Sequence, residues 1–205
     1  MKKAFLKQSY GLDSVTKTEA YYRDWAASYD EEIAENGYQT PQRCAEALAR
    51  HCADKTVSIL DIGCGTGLSG IAFKAQGFSN LHGNDLSQEM LDIAAQKQIY
   101  QSLHIADLHN PLDFDKARYD VIAAVGVISV GHAPPSTIAQ MFDKLGKEGL
   151  FVFSINDASI AEGSFTSAVE ALLQRDDALL CEDEYGTHLP KIDMKSIVYV
   201  IKKTA

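Results

Sequence analysis

The sequence predicts a doubly wound α/β fold, a mostly parallel β-sheet carrying helices on both faces. Three observations carry this expectation. From about residue 57 onward, apolar β-branched runs alternate with segments of helical period, the grammar of βαβ units. The stretch LDIGCGTG, residues 60–67, sets three glycines at alternate positions between the first such run and the helix that follows, where open α/β sheets bind ligands beyond the carboxyl ends of their strands. Near the end of the chain, ALLCEDEY and KSIVYVIKK follow one another with only a loop between them, so these two strands must pair antiparallel.

Each element has its own signal. TKTEAYYRDWAASYDEEIAENG repeats Ala20, Tyr22, Trp25, Ala26, Tyr29 and Ile33 at helical spacing and stops at Asn36-Gly37. Thr40-Pro41 opens a second helix, with threonine as the expected N-cap and proline in the first helical position, followed by Cys44, Ala45, Leu48 and Ala49. VSILDI reads as a buried strand, and LSGIAFKAQGF as a helix closed by Gly77. NLHGND is strand-like, after which Ser87 caps the amphipathic helix SQEMLDIAAQKQ. LHIAD gives a short third strand and YDVIAAVGVISV a long fourth one. STIAQMFDKLG is a helix ended by Gly146, GLFVFSIND a strand and SFTSAVEALLQR a helix. The chain reads as one domain, residues 1–54 forming a helical cap and 55–205 a ligand-binding core.

Bulk composition narrows the function. With 46% hydrophobic and 23% charged residues over 205 positions, a sizeable core is affordable. A net charge of -9 and the lack of any basic run argue against a broad nucleic-acid surface, so no nucleic-acid partner is expected. Cys44, Cys52, Cys64 and Cys181 show no CxxC pair and no zinc spacing, so no metal is expected. Cys44 and Cys52 would lie about 12 Å apart along one helix, too far to bridge. Reduced thiols, the absence of a signal-peptide core and the lack of any membrane-length apolar run point to a cytoplasmic protein with no membrane partner. The residues do not indicate an oligomeric state.

The glycine loop raises a question of charge. Such loops usually cradle phosphates, yet this one begins with Asp61. A dinucleotide fingerprint needs glycine where Leu68 stands, and a P-loop needs a lysine that is missing. A carboxylate at the strand end suits an ammonium or sulfonium and opposes a pyrophosphate. Asp85, in GNDLS, ends the next strand and can accept both ribose hydroxyls of a nucleoside. Asp107 closes the third strand, so three aspartates stand at successive strand ends.

LDIGCGTG with these acids resembles the first motif of the class I S-adenosylmethionine-dependent methyltransferases. YYRDWAASYDEE, GYQTP, VGVISVGHAPPS and the GLFVFS strand extend the resemblance over nearly the whole chain, and the pattern is most similar to the small Williams–Beuren-region type of methyltransferase. The resemblance implies a Rossmann-like three-layer αβα fold with a seven-stranded sheet of order 3-2-1-4-5-7-6. It also implies S-adenosyl-L-methionine as cofactor and S-adenosyl-L-homocysteine as product. Gly63, Cys64, Gly65 and Gly67 would lie under the methionine portion, and Asp61 would orient its amino group. Asp85 would take the ribose, Leu86 and Met90 would flank adenine, and Asp107 with Leu108 would meet the adenine edge. Tyr22, Trp25 and Tyr29, on one face of the first helix, would form a lid over the sulfonium.

The fourth strand should deliver Val125, Gly126 and the segment through His132 to the transfer site. Displacement from a sulfonium needs mainly in-line positioning, with a general base only if the acceptor must lose a proton. His132 is the candidate base, against the alternative of a loop histidine bonded to backbone. Pro134-Pro135 lacks the flanking acid or amide and aromatic of nucleobase amine methyltransferases, and is expected to start the next helix instead. The expected reaction is therefore methyl transfer to a small-molecule acceptor. Two rivals remain, a non-catalytic cofactor-binding protein and a nicotinamide-dependent oxidoreductase, the latter opposed by Leu68 and Asp61.

Overall fold

A computed structural model describes residues 28–107 and 110–205. The first described helix, α1, covers residues 28–36 and ends where Gly37 turns the chain with φ +74°. Then come α2 (Thr40–His51), β1 (Ser58–Ile62), α3 (Leu68–Ala75), β2 (Asn80–Asp85), α4 (Gln88–Gln96), β3 (Ser102–Ile105) and β4 (Val121–Ala124). The chain continues through α5 (Ser136–Lys144), β5 (Leu150–Asn156), α6 (Asp157–Glu162), α7 (Ser164–Leu173), β6 (Ala178–Leu189) and β7 (Met194–Lys203). The strands form one seven-stranded sheet of order β3-β2-β1-β4-β5-β7-β6. β1 to β5 run parallel to one another, while β7 inserts antiparallel between β5 and β6.

Period-2 alternation divides each central strand between two helical layers. Leu60, Ile62, Ile122, Phe151, Phe153 and Ile201 face α5 and α7, packing on Ile138, Phe142, Phe165 and Val169. Ile59, Val121, Ala123, Val152, Val198 and Val200 face the other way, onto Cys44 and Leu48 of α2 and Phe73 of α3. Asp61 shares parity with Ile59. Its side chain therefore enters the layer beneath α3 rather than the open end of the sheet.

Several local expectations need correction. Thr40 is the first residue of α2 and not its cap: Gln39 holds that position without a side-chain capping bond to the helix, and the Thr40 hydroxyl meets His188 Nδ1 at 2.7 Å and Ser196 Oγ at 3.2 Å. The long fourth run yields only four strand residues, because Gly126 breaks it with φ +74°. β3 stops at Ile105, two residues short of Asp107, which instead bridges antiparallel to Asn110. The helix α6 was not legible as such; Asn156 caps it by accepting from the Ser159 N–H at 3.1 Å. By contrast Ser87 caps α4 as expected, accepting from Met90 N–H at 3.2 Å, and all four cysteines are free.

Candidate active site

β1, β2 and β4 end on the same side of the sheet, and their following turns surround a cavity of about 470 Å³, a volume typical of small-ligand sites. The glycine turn forms its floor. Gly63 has φ +64°, and a Cβ there would lie 2.5 Å from Val127 Cγ2, so only glycine lets the turn pack against the segment after β4. Gly65 has φ +53°, but a Cβ there would find no protein atom within 4 Å. The space above it belongs to the cavity. Gly67, with φ +92°, does not line the cavity; it is the N-cap of α3.

Asp85 is the only carboxylate among the described lining residues. Its Oδ2 accepts from Gly65 N–H at 2.8 Å and its Oδ1 from Ser87 N–H at 2.9 Å. Burial pushes its carboxyl upward, against the opposing pull of these N–H groups. Each oxygen keeps a further lone pair, which is what a vicinal diol requires. Leu86 and Met90 line the same wall, with Cys64, Val125 and, from α1, Tyr29.

Asp61 stands one layer back. It is 1% exposed, and its Oδ2 accepts from Ser69 Oγ at 2.5 Å and Tyr100 Oη at 2.7 Å. Ser69 itself lines the cavity. The Oδ1 atom is buried without a hydrogen-bond partner among the described residues, a costly condition for a carboxylate and one that a cation or donor relieves. Burial, opposed by the Ser69 and Tyr100 hydroxyls and reinforced by the Asp85 charge, raises its carboxyl to about 6. Asp107 does not line the cavity, although Ala106 beside it does. Tyr22, Trp25 and Leu108 lie outside the described residues.

At the opposite wall His132 presents a half-buried ring. Its Nδ1 lies 3.2 Å from Val130 O and 3.0 Å from Ser129 Oγ. A carbonyl oxygen can only accept, so the neutral ring carries its proton on Nδ1 and its basic lone pair on Nε2. Burial lowers its pKa and keeps that neutral form dominant. Pro134 and Pro135 precede α5, with Pro135 as its N-cap, and α5 adds Thr137, Gln140 and Met141 to the wall.

Sequence reasoning missed the supports of this site. Tyr100 closes over α3 so tightly that a Cβ on Gly70 would lie 2.5 Å from its hydroxyl. Asp30 of α1 accepts from Thr66 Oγ1 at 2.5 Å and from Lys97 Nζ at 2.6 Å, latching the helix to the glycine turn. Tyr38 lines the cavity over Gly126, where its hydroxyl leaves no room for a Cβ. Asn84, next to Asp85 in GND, accepts from Gly63 N–H at 3.3 Å. The residues fit a cationic nucleoside, with a diol acceptor, an unsatisfied buried carboxylate oxygen and no lysine or arginine among the described lining.

A family model for a methyltransferase domain matches residues 34–202. Human methyltransferase-like protein 27 is 30% identical over 176 residues, covering 84% of this chain and 71% of its own length. A probable 18S rRNA (guanine-N(7))-methyltransferase of Dictyostelium discoideum is 27% identical over 119 residues, 57% of this chain and 41% of that protein. Among solved structures, the plantazolicin methyltransferase BpumL in complex with SAH superposes with a TM-score of 0.62 at 22% identity, covering 98% of this chain and 95% of that one.

Proposed function

Because the chain belongs to the class I S-adenosylmethionine-dependent methyltransferases, with S-adenosylmethionine as cofactor, we propose that it methylates a small-molecule acceptor using His132 as general base. The observation that carries this reading is the shared cavity: the glycine turn and Asp85 form one wall and a neutral histidine the other. The cofactor supplies a methyl group already activated on a sulfonium. The protein's own contribution is to bind, orient and move one proton.

In this reading Asp85 holds the ribose hydroxyls, Leu86 and Met90 flank the adenine, and the backbone of Gly63 to Gly65 lies beneath the amino-acid portion. Asp61 attracts the ammonium from behind Ser69. Tyr29 belongs to a lid that the Asp30–Thr66 bond keeps seated on the glycine turn. His132 Nε2 takes the acceptor's proton as the nucleophile commits. Small size of the acceptor is supported by the cavity's volume and by the net charge of -9. The Dictyostelium relative is named for an RNA substrate, which would need phosphate contacts that the described lining lacks.

Two measurements test this. S-adenosylhomocysteine should raise the melting temperature while NADH leaves it unchanged; stabilisation by NADH alone would favour an oxidoreductase. His132→Ala should keep S-adenosylhomocysteine affinity and slow labelled-methyl transfer by roughly 10²-fold or more. An unchanged rate removes the base assignment.

A further inference from the structure

Resting on that reading, we infer that Asp30, Thr66 and Lys97 form an ionic latch that sets how fast the cofactor enters and leaves, with α1 as the gate. Asp30 lies on α1 beside Tyr29, which lines the cavity. Its Oδ1 accepts from Thr66 Oγ1 at 2.5 Å, and its Oδ2 accepts from Lys97 Nζ at 2.6 Å. Thr66 sits inside the glycine turn and lines the cavity as well. Lys97 is the C-cap of α4, the helix that starts just after Asp85 and sends Met90 to the wall. One carboxylate thereby ties together three elements that each supply part of the site.

Apolar burial holds α1 lightly. Over residues 28–36 Ile33 is the only buried side chain, and it packs with Leu189, Tyr38 and Leu68 in a cluster apart from the two main cores. Segments that bury so little apolar surface open at lower free energy than the core. Gly37, left-handed at φ +74°, joins α1 to the fully packed α2, so a pivot there moves the gate while the sheet stays still. The latch is made of protein groups alone, and it therefore opposes entry of the cofactor as well as exit. A ligand contact, by contrast, slows exit only. Thr66, 1% exposed, anchors the inner end, where a carboxylate acceptor strengthens the bond that its hydroxyl donates. The Asp30 and Lys97 side chains are 40% and 21% exposed, so salt weakens the outer end.

The test follows tritiated S-adenosylhomocysteine by rapid filtration, its binding after mixing and its release after a chase of unlabelled ligand. Asp30→Asn and Lys97→Met should each speed both binding and release, by about three- to tenfold. These substitutions change the net charge in opposite directions, so a shared acceleration is not steering. The double variant should be no faster than Asp30→Asn, because a latch already open cannot be opened again. Wild-type release should also quicken between about 50 and 500 mM NaCl, and Lys97→Met should respond less. Rates within about twofold of wild type in either single variant overturn the latch, as do additive effects in the double variant. Faster release with unchanged binding overturns it too, since that is the mark of a ligand contact. Both side chains reach the surface, so both variants should fold. The wild-type salt response needs no variant, and a flat one overturns the latch by itself. A wild-type preparation that binds no S-adenosylhomocysteine overturns the underlying functional reading instead.

Discussion

At the scale of the residue, Asp61 and Asp85 do different work although both are acids at strand ends. Asp85 is exposed to the cavity, and Asp85→Ala should weaken S-adenosylhomocysteine binding by about 1–3 kcal/mol in calorimetry, the cost of a lost charge-assisted hydrogen bond. Asp61 acts through charge. Its carboxyl lies near 6, raised by burial beneath α3, with Ser69, Tyr100, Cys64 and Asp85 as its titratable and polar surroundings. A raised carboxyl favours the protonated form, so the unliganded fold loses stability from this group as pH climbs from the ordinary carboxylate range through about 6. A bound ammonium reverses that preference. Cofactor affinity should therefore rise with pH below about 6 and level off above it, falling about tenfold for one unit further down. Tyr100→Phe removes one of two hydroxyl donors and should move the break upward in pH. A pH-independent affinity between 5 and 7 would contradict the role given to Asp61.

Among the elements, α2 shows how an N-terminal helix becomes part of the core. Cys44, Ala45, Ala47 and Leu48 are each 0% exposed against the sheet, and Arg43 reaches across to the last hairpin. Its guanidinium donates to Thr187 O at 3.1 Å, Ser196 O at 3.1 Å and Glu184 O at 2.6 Å. Arg50 adds an ion pair to Glu182, and His51 Nε2 a hydrogen bond to it at 2.8 Å. Arg43→Met should cost about 1–3 kcal/mol, read as a lower urea midpoint with an unchanged slope. The elements themselves were legible because their signals are local: apolar runs in β1 and β5, a serine cap on α4, two strands in succession at the tail. What stayed hidden depends on distant partners. Thr40 has the chemistry of a cap, but His188 and Ser196, brought beside it by the hairpin, take its hydroxyl. The run after Val121 has the composition of a long strand, but a left-handed Gly126 under the Tyr38 hydroxyl ends it. Tyr100 carries no motif at all, since its meaning lies in Asp61, 39 positions earlier.

For the whole molecule, net charge and cavity chemistry agree. A chain of charge -9 that presents no lysine or arginine among the described residues of its cavity attracts a cationic cofactor and releases a neutral product readily. The association rate of S-adenosylmethionine, followed by stopped flow, should fall as salt rises to physiological strength, while that of zwitterionic S-adenosylhomocysteine stays nearly flat. Equal salt slopes would leave no part for steering. The described cavity wall also draws only on positions from Tyr29 to Met141. Everything from β5 onward, including the β6–β7 hairpin, serves as a buttress. Selection on ligand preference and selection on durability thus fall on separate stretches of the polypeptide, and a chimera that borrows a relative's segment from Leu150 onward inherits a new melting point while keeping its old chemical taste.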